Sequence, residues 1–172
     1  MLLAIFMLMA GNGVVATLVS FRLENAGTRA GIIGLVATCY FLGLTIGALR
    51  ALPIIQRVGH IRTFAAAVSL LSASTLAYTV VDGAGFWALL RFIDGLCVAA
   101  VFVCLESWLN ERAEPSTRGT VLAAYMISLY AGQAVGQFLL NLDSTAAAAF
   151  VASSLLVSLS VLPIALTRLE EP

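Results

Sequence analysis

The sequence predicts an all-α membrane protein of six transmembrane helices, arranged as two inverted three-helix repeats. Three observations predict it. Of 172 residues, 61% are hydrophobic and 10% charged, whereas soluble domains carry about 25% charged residues. Apolar runs recur along the whole chain, giving a mean hydropathy of +1.03. Finally, motif spacings in the first half return in the second.

The composition already excludes a soluble fold. A compact soluble domain of this size leaves about a third of its unfolded-chain surface exposed, and the sequence has too few polar residues to cover it. The nine basic residues are all arginine and are balanced by nine acids, so no polyanion, and no nucleic-acid partner, is implied. The implied partner is the lipid bilayer.

Each element follows from the length rule: crossing about 30 Å of hydrocarbon takes roughly 20 apolar residues. The charge-free runs are Met1–Phe21, Ala30–Leu49, Thr63–Val81, Gly119–Leu142 and Ser144–Thr167. A sixth, Gly83–Leu105, is interrupted only by Arg91 and Asp94. Membrane strands would alternate apolar and polar residues in segments of about ten; these runs do not, and helices are the other structure that satisfies its backbone in lipid. Met1–Phe21 reads as a span rather than a signal peptide, since it has no basic n-region. Pro53 and Pro115 fall in predicted connections and Pro163 near the end of the last span. Trp87 opens the fourth span and Trp108 closes it, positions expected of rings at headgroup level.

Arginine placement predicts orientation. The first, third and fifth connections hold Arg22 and Arg29; the second, the fourth and the C-terminal end hold Arg50, Arg57, Arg62, Arg112, Arg118 and Arg168. Six against two puts the larger set, and both termini, in the cytoplasm.

The repeat is carried by spacing. Thr28-Arg29 precedes Gly43 and Gly47 as Thr117-Arg118 precedes Gly132 and Gly136, an offset of 89 residues. Gly11, Val14, Ala16 and Val19 match Gly95, Val98, Ala100 and Val103 at an offset of 84. The units are roughly 1–82 and 83–172. Three helices is an odd number, so the second unit enters from the opposite side, the arrangement found in secondary transporters. The Gly-xxx-Gly pairs are helix-packing positions.

Several polar residues stand at membrane depth, where ionisable groups are expensive. Arg91 and Asp94, three apart, share a helix face; they read either as a solute- or proton-handling pair or as a locked structural ion pair. Tyr130, Gln133, Gln137 and Asn141 recur at helical spacing on one face, with Gly132 and Gly136 turned away. That stripe reads as the wall of an aqueous cavity or as interhelical hydrogen bonding. Asn12, between Gly11 and Gly13, and Tyr40 are further cavity candidates. Cys39, Cys97 and Cys104 fall inside spans without metal-ligand spacing and His60 is the only histidine, so no metal site, cofactor or enzyme active site is implied. At the arginine-rich face, Glu106 and Glu111 are expected to pair with arginines of the second connection, with Arg118 nearby, as possible gating partners.

The stretch Gln56-Arg57-Val58-Gly59-His60-Ile61-Arg62 resembles the loop motif between helices two and three of the major facilitator superfamily, matching at Arg57, Gly59 and Arg62. It departs at Gln56, where the motif has an acid, and at His60, where it has an arginine. Arg91-Phe92-Ile93-Asp94-Gly95 is similar to the family's fourth-helix motif at Arg91 and Gly95, while the fifth span lacks the glycine-proline signature of the family's antiporters. Glu-Ser-Trp-Leu-Asn at 106–110 and Arg118-Gly119 before Tyr125-Met126 look most like the family's bacterial YcaD-like branch. The resemblance implies half of a twelve-helix fold, similar to the N-terminal half. It implies a secondary transporter of the bacterial inner membrane that carries a small-molecule solute by alternating access. The chain then needs the C-terminal six-helix half or a second copy. A six-helix membrane scaffold without transport is the alternative.

Overall fold

Helices carry nearly all of the described residues of the computed structural model, 1–112, 114, 116–141 and 146–166, and no strand occurs among them. Pro115, Arg168 and the side chain of Arg112, which bear on the boundaries and orientation above, lie outside the described residues. In chain order the helices are α1 (Leu2–Gly13), α2 (Val15–Asn25), α3 (Ala30–Val58), α4 (His60–Ala77), α5 (Ala84–Arg112), α6 (Arg118–Gly136), α7 (Ala146–Leu159) and α8 (Leu162–Ala165). A 3-10 turn over Gln137–Asn141 follows α6.

Among the described residues, four segments are long and apolar enough to cross a membrane: Leu2–Asn25, Ala30–Val58, Ala84–Glu111 and Ala147–Ala165. The other two predicted spans are helical but more polar. Helix α4 starts in loop sequence at His60 and Arg62 and carries several serines and threonines; α6 starts at Arg118 and ends at Gly136.

Helix ends differ from the hydropathy boundaries. The second connection, expected over 50–62, shrinks to Gly59, because α3 runs on through Arg50, Pro53 and Arg57. Pro53 is therefore inside a helix, not in a connection. Proline costs a helix its own N–H bond and crowds the preceding turn, and here it does so on the exposed side of the last turns of α3. Helix α5 likewise absorbs Glu106–Arg112, expected as connection. A hydropathy run stops at the first charge, whereas a helix stops only where its backbone must. At Gly59 it must: φ is 92°, a conformation that favours glycine.

The first span is interrupted at Gly11-Asn12-Gly13, where low helix propensity coincides with the α1–α2 break at Val14. The main interhelical contacts are α3 with α5, α1 with α6, α4 with α5, α1 with α7, and α4 with α7.

The buried apolar residues form two clusters. One contains Leu8, Met9, Leu71, Cys97, Val101 and Val157; the other contains Val14, Leu18, Tyr78, Trp87, Leu90 and Phe150. Between them lies a polar layer: Asn12 of α1, Ser72, Ser74 and Thr75 of α4, Arg91 and Asp94 of α5, and Ser153 and Ser154 of α7, all buried. Trp87 and Trp108 are 2% and 3% exposed, so neither is the lipid-facing ring expected from the sequence. Each packs into one of the apolar clusters instead.

Candidate functional site

Asp94 is fully buried and both its oxygens are occupied. Ser74 Oγ donates to Oδ1 at 2.6 Å, and Tyr78 OH donates to Oδ2 at 2.7 Å. Arg91 Nη1 approaches Oδ2 at 3.5 Å. The i,i+3 spacing on α5 brings the pair together, as expected, and α4 closes it with two hydroxyls that no sequence pattern had singled out. Charged partners alone would not suffice here: a buried carboxylate needs its lone pairs satisfied.

Arg91 is 5% exposed. Its guanidinium carbon lies 4.2 Å from the centroid of the Tyr40 ring, a cation–π arrangement. The Asn12 side chain reaches the Tyr40 hydroxyl, while Asn12 Oδ1 is buried with no hydrogen-bond partner among the described residues. Four helices thus supply one contiguous polar array: Asn12 from α1, Tyr40 from α3, Ser74 with Tyr78 at the end of α4, and Arg91 with Asp94 from α5. A cavity of about 30 Å³ beside Arg91, lined also by Ser20, Ile33 and Val36, lies between α2 and α3.

The stripe on α6 is not part of this array. Tyr130 is 64% exposed. Gln133 Nε2 donates to Met9 Sδ at 3.9 Å, and Gln137 Nε2 to the Gly13 carbonyl at 3.0 Å. Thr17 Oγ1 donates to Gln137 Oε1 at 3.3 Å. Gly132 and Gly136 face Phe6 and Ala10 of α1. The glutamines therefore flank the glycine contact with α1 and do not occupy a side well away from it. Asn141 is exposed at the end of the 3-10 turn.

Glycines also line the α3–α5 contact. A Cβ at Gly43 would strike the Phe92 carbonyl, one at Gly47 would meet Leu96 O and Ala99 Cβ at 2.8 Å, and one at Gly95 would strike Tyr40 O.

At the arginine-rich end, His60 Nε2 lies 3.3 Å from Ser107 Oγ and 4.0 Å from Glu111 Oε1. Cys104 Sγ donates to the His60 carbonyl at 2.9 Å. A cleft of about 320 Å³ opens beside them, lined by Ile55, Gln56, Gly59, His60, Trp108 and Glu111. The expected arginine–glutamate pairs do not form. Glu106 accepts from Tyr125 OH at 3.4 Å, and Arg118 Nη2 donates to Asn110 Oδ1 at 2.6 Å. Among the described residues the ion pairs are Arg22–Asp82, His60–Glu111 and Arg91–Asp94. Arg57 and Arg62 are exposed, while His60 and Ile61 at the start of α4 face the cleft beside α5.

The family model of the Major Facilitator Superfamily matches residues 1–172. The chain belongs to the major facilitator superfamily. It is 32% identical over 141 residues to the protein of Salmonella enteritidis PT4 described as an uncharacterized MFS-type transporter, YcaD, covering 82% of this chain and 37% of that one. An uncharacterized MFS-type transporter of Yersinia pestis (strain Pestoides F) is 33% identical over 132 residues, 77% of this chain and 35% of that one. The chain thus spans about a third of the length of these relatives. No solved structure matches it. Membership makes it a multi-pass membrane protein and sets it with transporters rather than enzymes.

Proposed function

We propose that the chain is a six-helix half of a secondary transporter in the bacterial inner membrane, moving a small solute by alternating access. The polar array around Arg91 and Asp94 carries this reading. It lies between two apolar clusters, it joins four helices, and it holds one buried oxygen, Asn12 Oδ1, with no partner among the described residues. The solute sits near the midplane against Asn12, Tyr40, the Arg91–Asp94 pair and the α6 face bearing Tyr130, Gln133 and Gln137. Asp94 couples transport to protons, and a second six-helix body, the C-terminal half or another copy, supplies the opposing wall. Both termini lie in the cytoplasm with Arg57, Gly59, His60 and Arg62, and the His60–Glu111 contact is the gating element of that face.

Helix contacts support the inverted repeat and the count of six spans. Exchange the first span with the fourth, the second with the fifth and the third with the sixth. The contact of α3 with α5 then becomes that of α6 with α1, α4 with α5 becomes α7 with α1, and α4 with α7 maps onto itself.

In the full-length transporter, Asp94→Asn is expected to abolish the pH dependence of solute uptake; uptake that keeps its pH profile removes Asp94 as the coupling site. Gln133 and Gln137 bond to α1, which favours a second reading, a six-helix scaffold without transport. Cysteine labelling separates the two. With Cys39, Cys97 and Cys104 replaced, Gln137→Cys in a transporter reacts with a membrane-impermeant maleimide; in a scaffold it stays unlabelled.

A further inference from the structure

Tyr78 stands where two clusters meet. Its hydroxyl donates to Asp94 Oδ2 at 2.7 Å and is also within reach of Arg91. Its ring stacks on Phe150, with centroids 5.3 Å apart and planes 12° from parallel, and meets Trp87 edge-on at 5.6 Å. Arg22 lies over the same two rings, 5.2 Å from the Trp87 centroid and 6.0 Å from that of Phe150. Arg22 Nη2 pairs with Asp82 Oδ1 at 3.0 Å, and Asp82 is largely exposed. The Trp87 indole N–H donates to the Val81 carbonyl at 2.8 Å, next to Asp82. Direct contacts therefore run without a gap from an exposed ion pair at one end of the bundle to the buried carboxylate.

We propose that Tyr78 is a positioning residue that couples the protonation state of Asp94 to the Arg22–Asp82 ion pair. The inference rests on the reading of Asp94 as the coupling site. An ionised Asp94 accepts charge-assisted bonds, which are shorter and stronger than neutral ones. On taking up a proton at Oδ2, the oxygen that Tyr78 and Arg91 share, that oxygen becomes a donor, Arg91 loses its counter-charge, and the Tyr78 hydroxyl must turn or let go. The ring cannot move alone, because it is held between Phe150 and Trp87. The displacement therefore passes to the rings on which Arg22 rests.

The groups that face Asp94 are few. Helix α5 contributes Arg91 and Cys97, α4 contributes Ser74 and Tyr78, and α3 contributes Tyr40. Asp94 is the one carboxylate among them, so an acid-range step at this site belongs to it.

The test uses the full-length protein in lipid nanodiscs with Trp87 as its single tryptophan. Two signals are followed against pH: the infrared carboxyl stretch of Asp94, assigned by its loss in Asp94→Asn, and the Trp87 emission. Both are expected to step together in the parent, and Tyr78→Phe, which keeps the ring and removes the hydroxyl, loses the emission step while the infrared step remains. An emission step that survives Tyr78→Phe, or an infrared step with a silent Trp87, overturns the coupling and leaves the reading of Asp94 standing. A missing infrared step overturns that reading, and the coupling with it. If Tyr78→Phe does not fold, Asp82→Asn probes the coupling from the other end. Coupling is reciprocal, so the infrared midpoint of Asp94 shifts; an unmoved midpoint overturns the proposal.

Discussion

At the α3–α5 crossing, glycine meets backbone from both sides: Gly43 lies on the Phe92 carbonyl and Gly95 on Tyr40 O, Leu44 N and Gly43 itself. At the α6–α1 crossing Gly132 and Gly136 lie on the carbonyls of Phe6 and Ala10, while Gly13 of α1 faces Gln133, whose Cα an added Cβ would meet at 3.1 Å. Their edges differ more. The first is flanked by the buried Arg91–Asp94 pair and by Tyr40; the second by the neutral amides Gln133 and Gln137, the latter exposed. The same Gly-xxx-Gly spacing thus builds two seams of different chemistry. Close backbone approach is what the motif specifies, and the residues one position away decide whether the seam carries charge.

Breaking the charged edge should have the largest effect. Asp94→Leu strands Arg91 in the interior, and loss of one partner of a buried pair costs about 3–5 kcal/mol. Unfolding by denaturing detergent, followed by circular dichroism, measures it, and Arg91→Leu in the same chain should restore much of the loss. Next come the glycines. Gly95→Val should cost about 3 kcal/mol, the upper end for overpacking, because the added side chain meets Tyr40 O, Gly43 C and Leu44 N, all backbone of α3. Gly136→Val, which presses on Ala10 alone, should cost about 1–2 kcal/mol. Equal losses at the two sites would show that the seams are mechanically alike. The neutral edge should matter least: Gln137→Leu gives up its exposed bonds to Gly13 O and Thr17 Oγ1, together worth about 1 kcal/mol at the low end for such bonds. A larger loss in the same unfolding assay would raise the amide edge to the rank of the charged one.

Much of this was legible because lipid imposes a simple rule. Arg91, Asp94 and Asn12 stood out as polar residues inside apolar runs, and Gly43, Gly47, Gly132 and Gly136 by their spacing. Ser74 and Tyr78, which complete the Asp94 site, gave no such signal. A helical hydroxyl often satisfies itself on the carbonyl four residues back, as Thr75 does on Leu71 and Thr38 on Gly34, so serine and threonine are unremarkable in a span. Tyr78 and Trp87 sit at a span boundary, where aromatic rings usually mean headgroups; only the packing against Phe150 reveals an interior cluster. The second and fourth connections differ from expectation for another reason. Charge marks where a helix leaves hydrocarbon, and α3 and α5 keep their hydrogen bonding for about two turns beyond that point.

Gly59 has a consequence for anyone cutting and splicing this chain. It closes one helix and opens the next, so the turn contains no spare residue. An in-frame insertion there would unseat α3 and α4 together, whereas the exposed Asp82–Gly83 segment has room for added chain. A scan with an epitope tag should find the Gly59 junction intolerant and the Asp82–Gly83 junction permissive. The two junctions would then serve as the forbidden and the usable address for any reporter fused within this protein.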